Sequence, residues 1–326
     1  MSAVKGQATF LGDVYPGWLD ETAPPPKRRD LYLVAIKAFL GWAGQDVTLE
    51  EVTRARAGAF ISFLLDGTRT KATIDRYRSS LATLWRWLGE KGLVDRERNP
   101  WLDHPSIRTS GKAKRRTTRK GLNDPQLVKL LSTTYSGDGY RQAIADLTRL
   151  ALVTGARLEE LGDLRRADVE KQRDGFWLTI RKGKTEAAER KIPLHKSAEH
   201  IIRRRLCGKA EYVFSDLTPG PYGRRTHHVS KAYGRFRKQA GVSERGEDFH
   251  ALRHTFTATL EGKGVPLSTI QLVVGHSRKK TMGTTAVYTK GERVNLRKTI
   301  ETLRYSPAVM RLLVKEPRAP GAQRGA

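Results

Sequence analysis

A basic stretch in the first half of the chain divides this sequence into two parts with separate hydrophobic patterns. Residues 105–121, PSIRTSGKAKRRTTRKG, hold seven Lys or Arg and no acid, and they lack hydrophobic periodicity. Because this stretch has no apolar face to bury, it is predicted to be an extended linker that follows a polyanion. The alternative is a solvated charge run without a ligand. The 326 residues therefore predict two domains, each with its own core.

The part before this linker has apolar residues at helical spacing. A helix is predicted over 27–44, and a second opens at Thr48, with Glu51 completing a capping box. A third, over 74–88, has the clearest apolar stripe, with arginines on the opposite face. Residues 27–104 therefore predict a small all-helical domain with basic outer faces.

The part after the linker predicts a mostly helical domain over 122–304. It begins with Asn123 or Asp124 as the N-cap, followed by a proline at the first helical position. Residues 176–181 and 190–194 have the pattern of two short strands joined as a β-hairpin. The predicted helices lie at about 125–132, 138–153, from 157 onward, 227–240, 250–263, 267–275 and 292–304.

The two ends of the chain are predicted to be tails. Residues 1–26 look irregular and end in the run Pro24-Pro25-Pro26, which cannot continue a helix. Residues 305–326 form a C-terminal tail with an isolated apolar cluster that must dock on its own domain or on a neighbouring protomer. The cluster consists of Val309, Met310, Leu312, Leu313 and Val314.

The charge balance indicates a polyanionic partner. Lys and Arg number 61 against 34 Asp and Glu, a formal net charge of +27. Nucleic acid fits better than a membrane, because no apolar stretch is long enough to span a bilayer. A basic RNA-coating protein is the plainer alternative, and six Trp argue against it. The lone Cys207 excludes an intramolecular disulfide, and with no secretory signal the expected location is the cytoplasm, on the nucleoid.

The segment Thr154–Leu161, TGARLEEL, is a turn that enters a helix with an arginine at its start. The positive charge of Arg157 is unfavourable at the positive end of the helix dipole. A phosphate bound there is one way to compensate that charge. Glu160 is one turn further on and is predicted to pair with the guanidinium. The alternative is an ordinary surface ion pair.

The segment HALRHTF places His250 and Arg253 one turn apart on one helix face. His250 and His254 have the spacing of two metal ligands. The zinc-protease pattern also needs a glutamate between the histidines, whereas this chain has a cation there. No metal site is therefore predicted.

Three further candidates are Lys184 in the hairpin turn GKT, His276 after a glycine, and Tyr288 in TTAVY. Each means little alone, since most tyrosines pack in cores. The order Arg, hairpin Lys, His-x-x-Arg, Gly-His and Tyr resembles the tyrosine recombinase, or phage integrase, family. The matching segments are TGARLEEL, GKT, HALRHTFTATL, VVGHS and TTAVY, and the likeness extends through YVFS at 212–215 over roughly 27–304.

This resemblance implies a catalytic set of Arg157, Lys184, His250, Arg253, His276 and Tyr288, with Glu160 supporting Arg157. The two arginines would clamp the phosphate, and His276 would donate a hydrogen bond to it. His250 would exchange a proton near the phosphate, Lys184 would protonate the leaving 5′ oxygen, and Tyr288 would attack to form a 3′-phosphotyrosine. Such a reaction needs no ATP, metal or other cofactor.

The chain departs from the family pattern in two places. The stretch SRKKTMG lengthens the distance from His276 to the tyrosine, which leaves Tyr305 as a rival nucleophile. Lys290 stands where the family often has a histidine, and Lys182 competes with Lys184 as the general acid.

The resemblance also implies a mainly α architecture that forms a C-shaped clamp on DNA. A helical, SAM-like core-binding domain would be joined to a mostly helical α/β catalytic domain with a small sheet. Two monomers would bind inverted half-sites in double-stranded DNA, and two dimers would form a homo-tetramer, with accessory directionality factors as further partners. A C-terminal helix around Val309–Val314 would dock on the neighbouring protomer, with docking in cis as the alternative. Two alternatives stay open: a type IB topoisomerase-like nicking-closing enzyme, and a non-catalytic DNA-binding regulator with this fold.

Overall fold

The computed structural model describes residues 8–67, 69–102, 104, 121–137, 139–181, 189–244, 246–275 and 295–315. The chain divides into two compact units, Met1–Arg116 and Thr117–Ala326. The boundary between the units falls inside the stretch predicted as the basic linker, of which only residue 121 is described. The mainly α fold class with one small sheet is confirmed.

The first unit is built from helices around an aromatic core. Its helices are α1 (Leu11–Thr22), α2 (Pro26–Ala43), α3 (Arg54–Asp66) and α4 (Lys71–Glu90). Phe39 lies edge-on to both Phe60 and Trp101, with ring centroids 5.2 and 5.0 Å apart. The apolar stripe of α4 is buried in the same core, as its spacing predicts. The predictions of helices over 27–44 and 74–88 are confirmed.

The prediction of an irregular tail over residues 1–26 is wrong for the part that forms α1. Leu11, Trp18 and Leu19 are buried in the core of the first unit. The Leu11 N–H donates to the carbonyl of Val47 at 2.8 Å, which ties the start of the helix to the next loop. Burial of these side chains therefore outweighs the poor helix propensity of a segment with two glycines and a proline.

The predicted start of the second helix at Thr48 is also wrong. The Thr48 N–H donates to Oε2 of Glu51 at 2.8 Å, as in a capping box, but these bonds close a turn. The helix starts at Arg54, where the Thr53 hydroxyl caps it by accepting from the Arg56 N–H. Leu49 explains why the helix starts later than predicted. Its buried side chain, and the hydrogen bond from its N–H to the Thr9 carbonyl, hold this loop against the segment that leads into α1.

The second unit surrounds a nearly fully buried helix with helices and one antiparallel sheet. Its helices are α5 (Asp124–Ser132), α6 (Arg141–Thr154), α7 (Leu158–Gly162), α8 (Glu199–Arg205), α9 (His227–Gln239), α10 (Phe249–Gly262), α11 (Leu267–Val274), α12 (Leu296–Glu301) and α13 (Pro307–Val314). Helix α6 is buried along most of its length and packs against α10. Asn123 caps α5 with Pro125 in its first turn, as predicted. No helix within the described ranges is both long enough and apolar enough to cross a membrane.

The sheet has three strands in the order β1 (Val169–Gln172), β2 (Gly175–Ile180) and β3 (Arg190–Pro193). The antiparallel pairing of β2 with β3 matches the predicted hairpin, and Leu178 lies opposite Ile192 in the core. Strand β1 and helix α8 were not predicted. The sequence of β1 is VEKQ, largely exposed, and therefore lacks the alternation that identifies a half-buried strand.

The C-terminal apolar cluster docks on the chain's own second unit. Val309 and Leu313 of α13 are buried in the core of that unit, against α5. The Arg149 Nε donates to the Leu312 carbonyl at 3.3 Å, which fastens the helix to α6. The helix expected around Val309–Val314 is thus present as α13. The resemblance implied that it docks on a neighbouring protomer, whereas within this single chain it docks in cis.

A buried histidine beside α12 makes the stability of the second unit pH-dependent. His195 is almost fully buried, and its Nδ1 is 2.8 Å from the Ser197 hydroxyl. Burial lowers the pKa of His195; Glu301 opposes this shift, and Arg304 adds to it. The folded protein therefore keeps the imidazole neutral, whereas the unfolded chain protonates near the ordinary pKa of 6.5.

Below pH 6.5 the unfolded state binds a proton that the folded state does not, so stability falls as the pH falls. We expect the melting temperature of the wild type to decrease between pH 7.5 and 5.5 more steeply than that of His195→Asn, measured by circular dichroism. The exposed His228→Asn serves as a control and should follow the wild type. Equal slopes for all three proteins would contradict the neutral, buried His195.

Candidate active site

The turn between α6 and α7 sets the position of Arg157. Gly155 ends α6 with a left-handed backbone, φ +63°, and a Cβ at this position would collide with the ring of Phe256. This close approach seats the turn on α10. Arg157 is then the residue that immediately precedes α7.

Arg157 is held by a buried carboxylate. Its Nη1 donates to Oε1 of Glu160 at 2.6 Å, and its backbone N–H donates to Oε2 at 2.8 Å. The Glu160 side chain is 4% exposed, whereas that of Arg157 is 36% exposed. The predicted pairing is therefore confirmed. Glu160 therefore supplies the negative charge that pairs with Arg157 at the start of α7.

Glu160 has a second basic partner that the sequence analysis missed. Arg190, the first residue of β3, donates from Nη2 to Oε2 of Glu160 at 2.8 Å. Burial acts to raise the pKa of Glu160, but the hydrogen bonds and charges of Arg190 and Arg157 outweigh it and lower that pKa. Glu160 is therefore a buried carboxylate shared between two arginines.

Arg253 is held in α10 by backbone carbonyls on both sides. Its Nη1 donates to the Gly155 carbonyl at 2.7 Å and its Nη2 to the Val274 carbonyl at 2.6 Å. Burial, reinforced by the charges of Arg157 and Arg190, lowers the pKa of Arg253 to about 9, and Glu160 partly opposes this shift. Arg253 therefore remains a cation at neutral pH and lies within the electrostatic field of Arg157.

His250 and Arg157 line the same cleft, which has a volume of about 210 Å³. The cleft also contains Ser230 of α9 and Asp248, whose carboxylate accepts from the His250 N–H and caps α10. His250 lies one turn before Arg253, and its ring contacts that of His254 edge-on at 5.0 Å. The fold thus brings together three of the predicted residues: Arg157, His250 and Arg253.

This arrangement can bind and orient a phosphate. Arg157 and His250 line the open cleft, and the buried Arg253 follows His250 by one helical turn. Two guanidiniums and an imidazole thus provide donors for anionic oxygens, and fixed carboxylate and carbonyl partners hold both guanidiniums in place. A sequence model described as the phage integrase family matches residues 120–293, which is more than half of the chain. The chain belongs to the phage integrase family.

Curated relatives of this chain include tyrosine recombinases. The tyrosine recombinase XerD of Listeria innocua is 26% identical over 248 residues, covering 73% of this chain and 78% of the relative. The tyrosine recombinase XerA of Thermococcus kodakarensis is 25% identical over 288 residues, covering 87% and 92%.

Solved structures of other integrases have a similar fold. A lambda integrase dimer bound to a COC′ core site superposes with a TM-score of 0.65 at 22% identity, covering 84% of this chain and 76% of that one. The Tn1549 transposon integrase in complex with transposon right end DNA gives a TM-score of 0.62 at 18% identity, covering 82% and 92%.

Three predicted catalytic residues, Lys184, His276 and Tyr288, lie outside the described residues, as does the rival Lys182. The structure therefore describes only the elements that lead to them. Strands β2 and β3 flank the hairpin turn, α11 precedes His276, and α12 follows the tyrosine segment.

The rival nucleophile Tyr305 is described, and its surroundings argue against that role. Its hydroxyl donates to the Leu152 carbonyl of α6 at 2.7 Å. Burial raises the pKa of Tyr305, which disfavours the phenolate needed for attack. Tyr305 thus has the contacts of a core residue of the integrase.

Proposed function

We propose that this chain is a site-specific DNA recombinase that cuts and rejoins DNA strands through a 3′-phosphotyrosine intermediate formed by Tyr288. The observation that carries the proposal is the fixed pair of guanidiniums, of which Arg157 lines the cleft and Arg253 is buried one turn after His250. Glu160 orients Arg157, and the carbonyls of Gly155 and Val274 orient Arg253.

Such a pair suits phosphoryl transfer, in which the protein contributes mainly position and charge. Negative charge increases on the non-bridging phosphate oxygens as the nucleophile approaches. Arg157, a third exposed, can reach a phosphodiester in the cleft without losing its bond to Glu160. Arg253 stays charged at neutral pH despite its burial, so both arginines stabilise the transition state.

The remaining roles follow the chemistry of the reaction. A free phenol has a pKa of about 10, so Tyr288 needs the cationic pocket to attack phosphorus near neutral pH. As the bond from the Tyr288 oxygen to phosphorus forms, the bond to the 5′ oxygen breaks, and Lys184 supplies the proton to that oxygen. Lys182 is the alternative proton donor. His276 donates to a phosphate oxygen, and His250 accepts the proton that the phenol of Tyr288 loses.

Rejoining reverses these steps. A 5′ hydroxyl attacks the phosphotyrosine, the phosphodiester forms again, and the phenol of Tyr288 leaves. The number of phosphoester bonds is unchanged, so the cycle needs neither ATP nor an added reductant or oxidant. Arg157 and Arg253 serve the reverse step as they serve the forward one.

The proposed partner is double-stranded DNA. The net charge of +27 supports a polyanion, and the predicted basic linker would let both units close on a duplex as a C-shaped clamp. A lambda integrase tetramer bound to a Holliday junction is among the similar structures. By analogy, we expect two protomers on inverted half-sites, two such dimers in the active assembly, and accessory factors that set direction.

The proposal is tested with a nicked suicide duplex carrying a half-site selected by the protein from a random-sequence library. The wild type should form an adduct that survives denaturing electrophoresis, and it should recombine a plasmid carrying two complete sites. Relaxation of supercoils without strand exchange between sites would favour the topoisomerase-like alternative. Binding without any adduct would favour the non-catalytic regulator.

A further inference from the structure

Arg190 connects three parts of the second unit that carry or border predicted catalytic residues. Its Nε donates to the Val273 carbonyl at 2.6 Å, and its Nη1 and Nη2 contact both oxygens of Glu160, at 3.3 and 2.8 Å. The Arg190 side chain is 7% exposed. One planar guanidinium therefore spans the end of α11 and the carboxylate that holds Arg157.

Gly275 allows this close packing. The residue has φ +69°, and a Cβ there would lie 2.8 Å from Nη1 of Arg190. A side chain at this position would therefore both strain the backbone and displace the guanidinium. Because Gly275 immediately precedes His276, Arg190 packs against the last described residue before a predicted catalytic histidine.

The charge of Arg190 also reaches the other side of the site. Arg190 is among the groups that lower the pKa of Arg253, and its bonds to Glu160 do more than those of Arg157 to lower the pKa of that carboxyl. The charged groups that face Glu160 are thus Arg157 beside α7, Arg190 on β3 and Arg253 on α10. Glu160 also lines a second cleft, whose other charged lining residues are Glu159, Asp163, Arg165, Asp168, Arg181 and Arg225.

We propose that Arg190 is a positioning residue for strand cleavage, which holds the Glu160 carboxylate and the end of α11 in place so that Arg157 and the chain entering His276 keep their working geometry. This inference rests on the proposed function. Arg190 acts through Glu160 and the Val273 carbonyl, because all three of its guanidinium nitrogens bond to these two partners. Lysine cannot replace it, because one ammonium cannot match the forked guanidinium that bonds a carbonyl and a carboxylate in fixed directions.

The first test compares single-turnover cleavage of the selected suicide duplex by the full chain and by Arg190→Met and Arg190→Lys. We expect cleavage by Arg190→Met to fall by on the order of 10²-fold, because a small displacement of a positioned group costs that much. Binding of the same duplex should change by less than about 3-fold, since Arg190 does not contact DNA. The control is Arg205→Lys, which disturbs another buried arginine, paired with Asp146 and Asp216.

The pH profile separates positioning from general structural support. Arg190→Met removes a cation that offsets the burial of Glu160, so the pKa of the Glu160 carboxyl should rise. On the acid side of the profile, cleavage by this variant should therefore begin to decline at a pH about one unit or more higher than for the wild type. Arg190→Lys keeps a cation and should retain a nearly wild-type acid limb while still cleaving slowly. Adding Glu160→Gln to Arg190→Met should remove the new acid limb. Arg205→Lys should leave the profile unchanged.

Each outcome bears on one claim. Failure of the wild type to form any adduct would overturn the proposed function itself. A wild-type adduct together with full-rate cleavage by Arg190→Met would overturn only the role of Arg190. Slower cleavage by Arg190→Met with an unshifted acid limb would also overturn that role, because Arg190 would then support the fold without acting through Glu160. If Arg190→Met does not fold, Arg190→Lys decides, and an unchanged cleavage rate would overturn the inference.

Discussion

Replacement of Tyr288 by phenylalanine is expected to abolish the covalent adduct with the suicide duplex while leaving DNA binding intact. The substitution removes only the phenolic oxygen, which is the proposed nucleophile. Loss of a nucleophile costs on the order of 10⁴–10⁶-fold in rate in enzymes that use one. Denaturing electrophoresis measures the adduct, and a mobility shift with the same duplex measures binding.

Tyr305→Phe is the matched control for this experiment. The Tyr305 hydroxyl donates to the Leu152 carbonyl, so its loss should lower stability by about 1 kcal/mol without affecting the adduct. An undiminished adduct from Tyr288→Phe would contradict the assignment. An adduct lost from Tyr305→Phe, with folding intact, would transfer the role to that residue.

Replacement of Arg253 by lysine is expected to lower the rate of strand cleavage by on the order of 10²–10³-fold, the cost of losing one preorganised donor. The substitution keeps a positive charge but not the fork that bonds the Gly155 and Val274 carbonyls. An ammonium drawn to these carbonyls cannot also present fixed donors to a phosphate. Single-turnover cleavage at saturating protein measures the effect.

Arg149→Lys is the matched control for Arg253. Arg149 is also buried and donates to backbone carbonyls, those of Ala145, Leu131 and Leu312. Its replacement should lower the melting temperature, with cleavage at a permissive temperature within a few-fold of the wild type. Equal losses of cleavage in the two variants would mean that Arg253 acts through general stability and not at the phosphate.

The elements that could be predicted from the sequence are those in which the spacing of the apolar residues matches the side chains that are buried in the fold. Helix α4 has an apolar stripe that is buried along its length, and α10 places His250 and Arg253 on one face as the spacing requires. The ion pair of Arg157 with Glu160 is local, three residues apart, and could therefore be predicted from spacing alone.

The elements that were missed depend on contacts distant in sequence. Helix α1 contains Pro16 and is stabilised by burial of Trp18 and its neighbours rather than by local propensity. The pair Thr48 and Glu51 satisfies a helix-start signature but closes a turn instead, because Leu49 is held in the core. Local signals were present in both segments, and tertiary packing decided the outcome.

Arg190 shows the same limit within the candidate site. Its partners Glu160 and Val273 are 30 and 83 residues away, so no local pattern relates them. The segment RKIPL predicted a returning strand correctly, but alternation along a strand does not show which inward residue contacts a catalytic group. An arginine in a strand that is otherwise mostly apolar was the available signal, since buried arginines are rarely unpaired.

The most direct test of the central claim is to identify the residue that carries the DNA. The trapped adduct is digested with trypsin and nuclease, and the nucleotide-linked peptide is sequenced by mass spectrometry. Trypsin places Tyr288 in TMGTTAVYTK, residues 281–290, and Tyr305 in YSPAVMR, residues 305–311. We predict a 3′-nucleotide on Tyr288 in the first peptide, and a nucleotide on the second peptide or on any other residue would contradict the proposed mechanism.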